Sequence, residues 1–178
     1  MNILGIIASS MKGVSGAYES IATFNPTSGT TVTFSSIPST YKNLQLRYTF
    51  KATGAGGILK LGFNGDTGTN YSRHVLYGDG SAVVADGSSS VTSIYVSPNT
   101  GGSSTRNAVG IIDVHDYAST TKNKTARIFT GLDTNGAGTV DLWSGSWMNT
   151  AAVTSLEIVG LSITFAAGTT FSLYGIKG

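Results

Sequence analysis

The residues of this chain best suited to moving a proton are its two histidines, His74 and His115. In "IIDVHDY", Asp113 and Asp116 flank His115, and serines are plentiful, so a Ser-His-Asp relay is conceivable on paper. The spacing argues against it. On a strand, Asp113 and His115 share one face as a polar outer row, and no GxSxG turn presents a nucleophile. A glycosidase needs two carboxylates converging in a groove, and Asp113, Asp116 and Asp141 are the acids to inspect for that role.

Metal chemistry has little to work with. Two His and no Cys cannot make a closed zinc site without carboxylates. "FNGDTGTNY" and "YGDGSA" offer Asn64, Asp66 and Asp79 as oxygen donors of the kind calcium takes, without the spacing of an EF-hand. Asp or Asn beside Gly more often builds a turn. "KATGAGGILK" lacks the GK[ST] ending of a phosphate loop. We therefore expect no catalytic residue, no cofactor and no metal. Trp143 and Trp147 in "LWSGSW" lie on one side of a strand, and with Tyr71 and Tyr77 they could stack on the sugar rings of a host-surface glycan. The competing expectation is that the tryptophans are core. In that case Leu142 and Met148 point outward, and the strand is apolar on both faces, as where a subunit interface covers it.

The elements that must position these residues read as strands. The chain has 178 residues, 40% hydrophobic and only 11% charged, with a net charge of +2. That length suits one domain with a substantial core, and that charge implies neither a nucleic-acid nor a membrane partner. "NLQLRYTF" puts Leu44, Leu46, Tyr48 and Phe50 on one face, and "ILKLGF" does the same with Leu59, Leu61 and Phe63. Further strands are expected in "AYESIATF", "TTVTFSSI", "YSRHVLY", "SVTSIYV", "AVGIIDV", "TARIFTGL", "TVDLWSGSWM" and "SLEIVGLSITF". Asn64-Gly65, Asp79-Gly80, Asp86-Gly87 and Asn135-Gly136 mark turns between them. A phase slip at Gly160 predicts a β-bulge, and residues 85–90 and 97–107 are expected to be exposed loops. The fold class is all-β: an antiparallel β-sandwich of jelly-roll kind over residues 17–178.

Residues 1–16 stand apart. "MNILGIIASSMKG" has too short an apolar run to span a bilayer and no basic residue ahead of it. Ile3, Leu4, Ile6, Ile7 and Met11 suit a short helix or an arm anchoring the chain to a neighbour. At the other end, "GTTFSLYGIKG" alternates so that Phe171 and Leu173 face the core and Tyr174 and Ile176 the opposite side. That outer face, or the strand's edge, is expected to meet another subunit.

"ILGIIASS", "YESIATF", "VTFSSIPSTYKNLQLRY", "FNGDTGTNYSRHVLYGDGSA", "WMNTAAVTSLEIV" and "FSLYGIKG", in that order, resemble a group of bacteriophage virion proteins of marine and cyanobacterial phages. The resemblance covers nearly the whole chain. It implies a non-enzymatic β-sandwich on the particle surface, a capsid decoration subunit or a short tail or head fibre component. It implies assembly in the host cytoplasm, and a homotrimer in contact with other capsid or tail proteins.

Overall fold

The computed structural model describes residues 16–54, 56–98 and 102–178, so Ile3, Leu4, Ile6, Ile7 and Met11, expected to form an anchor, lie outside the described residues. Among the described residues twelve strands follow one another: β1 (Tyr18–Phe24), β2 (Thr31–Phe34), β3 (Asn43–Phe50), β4 (Ile58–Phe63), β5 (Tyr71–Gly78) and β6 (Val83–Val91), then β7 (Ile94–Tyr95), β8 (Ala108–His115), β9 (Lys124–Asp133), β10 (Gly138–Trp147), β11 (Leu156–Leu161) and β12 (Thr170–Ile176). They form an eight-stranded sheet, β1-β12-β3-β8-β9-β10-β5-β6, and a four-stranded sheet, β2-β11-β4-β7. All pairings are antiparallel. The protein is an all-β sandwich.

Alternation places the core between the sheets. Leu44, Leu46, Tyr48 and Phe50 of β3 face Leu59, Leu61 and Phe63 of β4 across it, joined by Ile112, Ile128, Leu156, Ile158, Phe171 and Leu173. Two glycines make room for large neighbours, Gly145 where the two sheets approach and Gly110 for a cross-strand ring within the long sheet. A methyl group on Gly145 would sit 2.5 Å from Ile94 of β7, and one on Gly110 would sit 2.4 Å from the Tyr48 ring. Trp143, Gly145 and Trp147 thus form two aromatic walls and a floor, with Ile94 filling the gap between them.

Lys124 opens β9 fully buried, and its ammonium donates to the carbonyls of Ser119 (2.7 Å), Lys122 (2.6 Å) and Thr150 (3.1 Å). Three acceptors replace the hydration a buried ammonium loses, and they tie the β8–β9 and β10–β11 connections together.

Several expectations are corrected. Residues 85–90 are not a loop but the middle of β6, whose backbone pairs with β5 although nearly every side chain is exposed. Asp86-Gly87 is therefore no turn; the His74 ring lies against Gly87, where a methyl group would be 2.5 Å away. "SVTSIYV" is not one strand: Ser90 and Val91 end β6, and only Ile94 and Tyr95 form β7. Among the described residues of the 97–107 segment only 104–107 are exposed, because Ser97 and Ser103 are buried and Gly102 packs under Phe50. There is no bulge at Gly160: β11 runs in regular register to Leu161, and the phase changes at Ser162, whose φ of 61° turns the chain before Ile163 and Phe165. Strand β12 has no free edge, since β1 covers it on one side and β3 on the other.

Candidate functional site

The surface that departs most from an ordinary soluble sandwich is the outer face of the long sheet. Cross-strand register lines up Ile111, Phe129, Leu142 and Leu76 on β8, β9, β10 and β5. A neighbouring row runs Val109, Gly131, Val140, Gly78 and Val83, reaching β6. The seven apolar side chains in these rows are between 41% and 76% exposed. In the first row each neighbours the next across a strand pair, at the roughly 5 Å spacing at which facing side chains touch, while in the second Gly131 and Gly78 separate the valines. A cavity of about 870 Å³ opens over part of this face, lined by Leu76, Leu142 and Ala85 with His74, Ser144 and Arg127.

A polar rail borders the apolar rows. Arg127 holds the Asp113 carboxylate at 2.9 Å, Gln45 donates to its other oxygen at 2.8 Å, and Arg47 donates to Gln45 at 2.7 Å. Partial burial would raise the pKa of Asp113, but Arg127 and Gln45 together outweigh it and hold the carboxyl below its ordinary value. Farther along, the Arg47 guanidinium lies over the rings of Tyr18 (5.0 Å) and Tyr174 (5.4 Å). Tyr174 and Ile176 occupy the outer face, half-buried, while Phe171 and Leu173 are in the core.

The glycan-stacking candidates are mostly sealed inside. Trp143, Trp147 and Tyr71 are buried, because each large ring is packed between the sheets, and a ring in the core offers no face to a sugar. Trp147 stacks near Tyr71 at 6.3 Å and donates its indole N–H to Asp66 at 2.7 Å. Tyr77 alone is half-exposed. It lines a cavity of about 390 Å³ on the inner side of β5 and β6, beyond the end of the short sheet. Arg73 lies 3.6 Å over the Tyr95 ring in the wall of the same cavity.

The acids do not converge. Asp113 is on the outer face of the long sheet, Asp141 is buried on the inner face, and Asp116 is exposed beyond β8, paired with Lys122. His74 and His115 face outward on β5 and β8, strands separated by β9 and β10. The oxygen donors proposed for calcium serve the protein instead. Asn64 Oδ1 accepts from the backbone of Thr154 and Ser155, and Asp79 Oδ1 from that of Ser81 and Ala82. Asp66 accepts from Gly68, Asn70 and Trp147, and these bonds hold its carboxyl below the ordinary value. No cluster of three or more potential metal ligands exists among the described residues.

From the sequence, the doubly apolar β10 and the outward Tyr174 and Ile176 of β12 pointed at the outer face. Val109 and Ile111 in "AVGIIDV" and Phe129 in "TARIFTGL" carry the same signal, apolar residues in both phases of one strand, and would have extended the patch to β8 and β9. Comparisons with protein-family models, with curated proteins and with solved structures give no match for this chain.

Proposed function

We propose that this protein is a non-enzymatic structural subunit of a bacteriophage virion, carried on the particle surface as a decoration or short fibre component and working as an oligomer. The observation that carries the reading is the apolar outer face of the long sheet, which is large for a protein meant to stand alone in water. The dispersal of Asp113, Asp116 and Asp141 and the internal use of Asn64, Asp66 and Asp79 support a packing role over a chemical one. The ordered sequence resemblance supplies the setting.

Mass spectrometry and surface labelling of intact virions from the phage that carries this sequence test it. The chain should be present at a fixed copy number and be accessible to antibody from outside. Deleting residues 1–13 should abolish its incorporation. Particles that contain none of it would overturn the reading. A second reading, glycan recognition, rests on the Tyr77, Tyr95 and Arg73 cavity rather than on the tryptophan pair. Saccharide titrations that shift a Tyr77→Ala-sensitive signal would favour it.

A further inference from the structure

We infer that the apolar rows on the outer face of the long sheet are covered by the same face of a second copy of this chain, related by a two-fold axis. The inference rests on the reading of the chain as a packed structural subunit, and it names the partner.

Three observations favour a second copy over other occupants. The first is area. The exposed fractions of Leu76, Val83, Val109, Ile111, Phe129, Val140 and Leu142 amount to roughly 700 Å² of apolar surface, close to the ~800 Å² each partner contributes to a standard-size stable interface. The second is charge. Of the formal charges on the rail, Asp113 and Arg127 neutralise one another at 2.9 Å, which leaves the single positive charge of Arg47, at the border of the apolar rows and turned over the Tyr18 and Tyr174 rings, as the one repulsive element when two identical rails meet. Apolar rows with a polar border have the anatomy of an interface core and rim. The third is relief. One row is large throughout, Ile111, Phe129, Leu142 and Leu76, while the other alternates valines with Gly131 and Gly78. Turned on a two-fold axis, the large row of one copy faces the recessed row of the other. Phe129 then has recesses at the glycines to enter.

Identical faces packed together make an isologous pair, which closes on itself. The unit predicted is therefore a dimer through this face, not the trimer that the family resemblance suggests.

The chain contains no cysteine, so a single introduced thiol reports on one place. The test uses the full chain in three forms: unmodified, Leu142→Cys, and Thr33→Cys on the exposed outer side of β2 in the short sheet. Sedimentation over about a hundredfold range of concentration should give twice the monomer mass at the upper end, dissociating on dilution by mass action. There, maleimide should modify Leu142→Cys at least tenfold more slowly than Thr33→Cys, and the difference should vanish on dilution. Phe129→Glu should yield a monomer with an unchanged circular dichroism spectrum; if that variant does not fold, the thiol comparison still decides. A trimer mass, or a dimer in which the two thiols react alike, overturns the inference and leaves the structural reading standing. So does a monomer at every concentration whose Leu142→Cys becomes protected only on particles, since another virion protein is then the partner. Absence from virions, by contrast, removes the reading beneath it.

Discussion

Strand β10 is apolar on both sides, and its two sides have opposite surroundings. Inward, Trp143 and Trp147 are sealed by β7 and by the β4–β5 turn, with Ile94 set into the gap at Gly145 and Asp66 capping the Trp147 indole. Outward, Val140 and Leu142 stand about half exposed among the described residues. The short sheet's outer face sharpens the contrast. It presents Thr31, Thr33, Lys60 and Glu157, with Val159 half-buried among them and one apolar pair, Ile58 and Leu161, at its end. Sheets with one solvated face normally alternate apolar inside with polar outside. The short sheet follows that rule and the long sheet breaks it, although both belong to one sandwich. The difference marks the long sheet's outer face as surface made to be covered.

The largest effect should come from removing matched bulk on the two sides of the long sheet. Trp147→Ala empties a fully packed site and should cost about 3–5 kcal/mol in urea unfolding. Phe129→Ala, on the other side, should change the stability of the monomer by no more than about 0.5 kcal/mol while weakening association. Equal losses from the two would erase the distinction between a covered and an uncovered face.

Smaller losses test how the inner side is sealed. Asp66→Ala leaves the buried Trp147 N–H without its acceptor and should cost about 1–3 kcal/mol. Gly145→Ala puts a methyl group 2.5 Å from Ile94 and should cost about 1–3 kcal/mol by overpacking, also read from the urea midpoint. If Gly145→Ala instead stabilises the protein, Ile94 has room to move and the tight fit under β7 is wrong.

How much of this was legible in sequence depends on what each residue answers to. Strands β3 and β4 were readable to the residue, since Leu44, Leu46, Tyr48 and Phe50, and Leu59, Leu61 and Phe63, alternate strictly between two environments. Strand β6 was not, because "VVADGSSSV" is held by backbone pairing to β5 and its side chains carry almost no burial signal. The turn at Ser162 looked like a bulge at Gly160 because a positive φ and an inserted residue shift the apolar phase alike. Lys124 gave no warning, since a lysine opening a strand usually reads as solvated and its three carbonyl partners come from the turn just before it and from Thr150 in the β10–β11 connection. The outer face was half legible. Leu142 announced it in β10, while the register that joins it to Phe129, Ile111 and Leu76 is long-range and is settled only by strand order.

The smallest effect concerns the rail beside the apolar rows, and its sign can be worked out. Asp113 has a pKa lowered in the folded protein, so its contribution to stability is fully present above the ordinary carboxylate value and is lost as pH falls through the depressed one. Arg127→Met takes away the main group opposing the burial cost and leaves Gln45, with a smaller pull from His115, to oppose it. The pKa of Asp113 then rises, and the acid loss begins at higher pH than in the unmodified chain. The Arg127 side chain is 65% exposed, so solvent screening keeps the whole effect below about 1 kcal/mol. Urea midpoints followed from neutral to acid pH should therefore separate only on the acid side, with the variant falling first. Superimposable curves would mean that the rail is a solvated fringe. A separation that widens with protein concentration would instead place the rail at the edge of the same contact that covers Phe129 and Leu142.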